Sequence, residues 1–138
     1  MVIAFLMMSP YHHKYWPDKS KHYDGGEYNG YVACNRELPL SWQGGASFDD
    51  EDTLDHLVDV HGGITFDYPL DSLKDCPIIP LTKIPYPIFF EKFRCIGFDT
   101  LHCKDTKEEW TIEAVKAETL RLKEQIEELI KQKEKSET

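Results

Sequence analysis

The chain has 138 residues, 41% of them hydrophobic and 12% aromatic, enough apolar material for one packed domain over residues 1–138 and too much for wholesale disorder. Sixteen Lys and Arg face 25 Asp and Glu, a formal charge of −9, which repels phosphate backbones and excludes a binder of duplex nucleic acid. Cys34, Cys76, Cys95 and Cys103 form no C-x-x-C pair, so neither a zinc ribbon nor a dithiol redox motif is written here and reduced thiols are expected.

Taken in chain order, the opening run Val-Ile-Ala-Phe-Leu-Met-Met at 2–8 ends near Pro10 and reads as a buried first strand. It has no basic segment before it and is too short for a signal-peptide core or a membrane span, so a cytoplasmic protein without a membrane partner is expected. Residues 11–31 interleave Tyr11, Tyr15, Trp16, Tyr23, Tyr28 and Tyr31 with His12, His13, Lys14 and the turn signal Asp24-Gly25-Gly26. Aromatic loops that cover a core edge are commoner than ligand-stacking ones, and the former is expected. Residues 31–34 then read as a strand, closed by Pro39.

Between 41 and 75, nine acidic side chains face the single basic Lys74, which concentrates nearly all of the net charge. The cluster Asp49-Asp50-Glu51-Asp52 lacks the alternate oxygens, mid-loop Gly and distal Glu of a calcium loop. It suits the N-terminus of a short helix beginning near Thr53-Leu54, where acidic side chains complement the helix dipole. Pro77, Pro80, Pro85 and Pro87 each remove a backbone donor, so that stretch is extended but not a central strand. Its apolar side chains predict an ordered loop packed over the sheet.

The last 28 residues hold neither Gly nor Pro. Ile112, Val115, Thr119, Leu122, Ile126 and Leu129 recur at 3-4-3-4-3 spacing, one stripe of a helix. Asp105, Glu108 and Glu109 near its start, and Lys131, Lys133 and Lys135 near its end, match the dipole. At 1.5 Å per residue, about 23 residues extend roughly 35 Å, longer than a sheet of short strands covers. The end, about residues 130–138, is expected to fray as a charged tail or to pair with a second copy in a homo-oligomer. Together these elements predict an α+β domain: a small, mainly antiparallel sheet with one short helix and the long C-terminal helix packed on it.

Two segments carry the site expectation, residues 61–67 (His-Gly-Gly-Ile-Thr-Phe-Asp) and 95–102 (Cys-Ile-Gly-Phe-Asp-Thr-Leu-His). As strands, they would send Ile64 and Phe66 to one face and Gly63, Thr65 and Asp67 to the other, with Ile96 and Phe98 opposite Gly97 and Asp99. Paired, they would set glycines beside carboxylates, leaving backbone open to a ligand. His61, Gly62, Gly63, Thr65, Asp99 and His102 are therefore the candidate ligand-binding residues. Plainer roles exist for each: Gly62-Gly63 as a turn, His61 capped by a nearby acid, Asp99 as a cap for the following turn. His61, Asp99, His102 and Cys103 are metal-ligand types without metal-ligand spacing, so neither metal nor cofactor is expected. Cys103 beside His102 is a poor nucleophile pair, since adjacent strand residues point apart. No G-x-S-x-G, Walker or G-x-G-x-x-G motif occurs.

Gly30-Tyr31-Val32-Ala33, Pro39-Leu40, Val60-His61-Gly62-Gly63-Ile64-Thr65-Phe66, Ile96-Gly97-Phe98-Asp99 with His102, and a helix led by Trp110 together resemble a family of small proteins from phage and prophage genomes. The resemblance spans roughly residues 30 to 130; it departs from the family pattern at Leu38, where a His usually precedes Pro-Leu. It implies a phage-type accessory protein in the host cytoplasm, of a kind that counters host defence, for instance by sequestering a nucleotide signal. The expectation is a binding module for a small polar, nucleotide-like ligand. Its rivals are a hydrolase with Asp99 or His61 as general base, and an acidic protein-binding inhibitor of a host factor.

Overall fold

The apolar N-terminal run is unbroken because both sides of it are covered. In the computed structural model, which describes residues 1–8, 27–35, 57–73, 76–84, 93–100, 105–106 and 108–136, it is strand β1 (Val2–Met8). It pairs antiparallel with β2 (Tyr28–Cys34) on one side and with β4 (Ile79–Pro80) on the other. Beyond β2 lie β5 (Arg94–Phe98) and then β3 (Phe66–Pro69), again antiparallel, in the order β3-β5-β2-β1-β4. The helix α1 (Ile112–Ser136) packs on β1 and β2. The α+β architecture with a long C-terminal helix on an antiparallel sheet is thus the one the residue pattern predicts.

Strand alternation divides the core in two. Ala4, Leu6, Val32, Cys34, Ile96 and Phe98 meet Val115, Leu122, Ile126 and Ile130 of α1. Ile3, Phe5, Tyr31, Ala33 and Cys95 form the second cluster on the opposite face with Leu70, Phe93 and the half-buried Phe66, Ile78 and Ile84. Within it Phe5 stacks on Tyr31 at 5.4 Å between centroids, and Phe66 meets Tyr31 edge-on at 5.3 Å. Both Cys34 and Cys95 are buried, and burial pushes the Cys95 thiol well above the ordinary range, which makes it an inert core residue.

Three elements differ from expectation. β2 starts at Tyr28, three residues before the apolar segment, its first residue paired with Met8 of β1; at Gly30 α1 comes close, since a Cβ there would overlap Thr119 Oγ1 and lie 2.5 Å from Phe98 Cε1. Residues 61–67 are not one strand. Gly62 and Gly63 take φ of 70° and 80°, the left-handed region natural to glycine, and Gly63 N–H donates to Val60 O at 2.9 Å in a turn. The strand begins only at Phe66, so Ile64 joins the α1 side while Phe66 joins the other face. Finally, α1 runs to Ser136 with Ile130 still buried, one residue beyond the stripe read from the sequence.

Pro80 sits in an edge strand of two residues, where a missing donor is tolerated. Leu81 N–H donates to Ala4 O at 2.9 Å and Ala4 N–H to Thr82 Oγ1 at 3.1 Å, continuing the seam. The short helix expected after Thr53 lies outside the described residues save for Leu57, whose backbone is helical. So do the aromatic stretch 11–26, the acidic cluster 49–52 and the prolines Pro85 and Pro87. No helix among the described residues is long and apolar enough to cross a membrane.

Candidate functional site

The Gly62-Gly63 turn projects His61 against the beginning of α1. Its Nε2 meets both carboxylate oxygens of Asp105 at 2.9 Å, and the Asp105 side chain is only 5% exposed. The imidazole also lies on the Trp110 indole, 4.1 Å between ring centroids and tilted by 38°. A buried carboxylate needs such a partner. The plain possibility that a nearby acid caps His61 is thus realised by a residue 44 positions away.

The backbone of the same turn is fastened to α1. His61 N–H donates to Glu118 Oε2 at 2.9 Å, Asp59 N–H donates to Gln125 Oε1 at 2.7 Å, and Gln125 Nε2 returns a bond to Asp59 O at 2.8 Å. Arg121 completes the latch with Nε and Nη2 on Glu118 at 2.7 and 3.0 Å and Nη1 on Asp59 at 3.1 Å. Arg121, helped by the His61 N–H, holds the Glu118 carboxyl below the usual glutamate range against the opposing effect of burial. A lowered folded-state value stabilises above the unfolded one, about 4.3, and that contribution is lost as pH falls through the folded value. Glu118→Gln should therefore be less stable than the parent at about pH 6, with the gap closing as the pH falls below the unfolded value of about 4.3. Urea titrations along that series measure it; a gap independent of pH would show that the charge of Glu118 contributes nothing.

In front of this frame is a groove of about 440 Å³ lined by Glu27, Tyr28, Glu108, Trp110, Thr111, Ile112 and Glu113. Its shape follows from how α1 starts. Thr111 caps the helix, accepting from Ala114 N–H at 3.3 Å through its hydroxyl and from Val115 N–H at 3.0 Å through its carbonyl. Trp110 is held one turn earlier, its backbone N–H donating to Thr106 O at 2.9 Å, and its indole lies on the His61 ring. The indole therefore stands between two environments, the His61–Asp105 pair and the groove.

The other candidate residues are distributed. Gly62 and Gly63 form the turn, and Thr65 N–H donates to Gly97 O at 2.9 Å, joining the two glycine-bearing segments as expected. The open side of Gly97 is taken by the Tyr31 ring, 2.6 Å from where a Cβ would be. Asp67 pairs with Arg94 across β3 and β5 at 3.0 Å. Asp99 stands one residue past the Gly30–Phe98 pair. Burial pushes the Tyr31 hydroxyl up to about 12, with the charge of Asp99 adding to it and an Asn29 hydrogen bond opposing it. His61 lies against α1, whereas Tyr31 belongs to the opposite face. His102 and Cys103 lie outside the described residues.

Sequence reasoning missed Asp105, Glu118 and the groove-lining Glu27, Tyr28, Glu108 and Glu113 as parts of one locale. Asp105 and Glu108 read as dipole partners of a helix that in fact starts only at Ile112. The available signal was Trp110, a large aromatic two residues ahead of the apolar stripe, which is only partly buried where it packs at the edge of the core. Comparison of the chain with family models, curated proteins and solved structures finds no match.

Proposed function

We propose that the chain is a binding module rather than a catalyst, holding a small polar ligand in the groove at the head of α1. Following the motif resemblance, we take its use to be that of a phage-type accessory protein that sequesters a host signal. The observation that carries the binding reading is the groove of about 440 Å³ with Trp110 as one wall, fixed from behind by His61 and Asp105. Such a volume falls within the range of small-molecule sites, and an immobilised indole offers a flat face at little entropic cost. His61 has its Nε2 on Asp105 and its ring on the indole, and so acts as a strut that fixes Trp110 in the groove wall. Trp110 offers a face on which a planar ligand can stack, whereas Glu27, Glu108 and Glu113 in the same lining oppose a phosphate.

Native mass spectrometry of freshly purified protein, followed by thermal melts with nucleotides, sugars and amines, tests this reading. A ligand at 100 times its dissociation constant adds about 2.7 kcal/mol of apparent stability, a melting shift of roughly 5 °C or more for a domain of this size. The shift should disappear in Trp110→Ala, and the ligand should be recovered chemically unchanged. Recovery of a product instead would support the hydrolase. No retained molecule and no shift across the panel would refute the small-ligand reading and leave the protein-binding inhibitor.

A further inference from the structure

We infer that the groove at the head of α1 selects a small organic cation, a guanidinium or ammonium group on an apolar stem; this rests on the proposal that the groove is a binding site. Tyr28, Trp110 and Ile112 make part of its lining aromatic and aliphatic, and three carboxylates, Glu27, Glu108 and Glu113, belong to the same lining. Among the described residues none of the three is in an ion pair, unlike Glu118 and Glu127, which are held by Arg121 and Lys123. The local charge is thus left uncompensated within the described protein.

Complementarity then decides between ligands of opposite sign. The start of α1 contributes a partial charge of roughly +0.5, which by itself favours an anion. Three formal negative charges outweigh it several-fold, and the whole chain at −9 adds to the same side. A phosphate entering the groove meets repulsion from all three carboxylates. A cation meets attraction from them and from the ring faces of Trp110 and Tyr28, whose quadrupoles favour positive charge. The apolar stem of the ligand would lie along Ile112.

The test uses the full chain labelled with nitrogen-15. The Trp110 indole N–H signal is told apart from those of Trp16 and Trp42 with Trp110→Phe. The probes are N-acetyl-arginine amide, its uncharged isostere N-acetyl-citrulline amide, and AMP. The arginine probe should move the Trp110 signal in a saturable way, more weakly at high salt, while the other two leave it in place. Glu108→Gln and Glu113→Gln should each weaken binding by up to about fivefold, the range of an exposed ion pair. Equal binding of the citrulline probe, or preferential binding of AMP, would overturn the cation while leaving a ligand-binding groove. Silence of Trp110 to all three probes would also overturn it, and together with an empty native mass spectrum would remove the binding reading as well.

Discussion

Leu122→Asp is expected to cost about 5 kcal/mol and to leave little folded protein at room temperature, whereas Leu120→Asp, two residues away, should change stability by no more than about 0.5 kcal/mol. Leu122 is completely buried among the side chains between α1 and the sheet, and Leu120 is 39% exposed on the other side of the helix. Removing a buried leucine alone costs about 2–5 kcal/mol, and a carboxylate without a partner in that seam adds a desolvation penalty. A domain of this size has only about 5–15 kcal/mol in total. Urea titrations of the two variants measure the contrast. Comparable midpoints would mean that α1 presents a different face to the sheet.

Gly30→Ala is expected to cost about 2–3 kcal/mol although it adds one methyl group, because the space is already filled from two directions. Thr119 Oγ1 occupies the position a Cβ would take, and it is itself fixed by donating to Val115 O at 2.6 Å; Phe98 closes the other side. Thr119→Ala removes one of these obstacles while giving up its hydrogen bond. In the double variant the two costs should therefore fall short of their sum by about 1 kcal/mol, the coupling expected of residues in contact. Strict additivity in denaturant melts would show that Gly30 is retained for another reason.

These two positions also mark what can be read from one dimension. The stripe through Val115, Thr119, Leu122 and Ile126 was legible because helical period is a local property, and all four are fully buried. β1 was legible because a strand covered on both faces carries no polar alternation. The candidate site was legible only at its sequence-local part, the His61-Gly62-Gly63 turn. Its partners Asp105, Trp110 and Glu118 reach it by tertiary approach across 44 to 57 residues, a distance over which periodicity says nothing. The same limit affects the glycines. Their backbone looks open in the sequence, yet Tyr31 and Thr119 arrive from neighbouring elements to close Gly97 and Gly30.

The strand order β3-β5-β2-β1-β4 has a consequence for how the chain acquires its structure during synthesis. β1 and β2 are made early and meet across a short separation, but β5 must arrive from some 60 residues later to lie beside β2, and only then does β3 gain its partner. Such non-local pairing places folding towards the slow, millisecond-to-second end of the scale. The cover over Ala4, Leu6, Val32, Ile96 and Phe98 comes from α1, the last of these elements to leave the ribosome. Until it docks, a hydrophobic sheet face is open to other nascent chains, and this interval is when aggregation and chaperone capture compete with folding. A chain that stops before Ile112 leaves that face permanently uncovered, so the charged helix also serves as the sheet's guard against association with other chains.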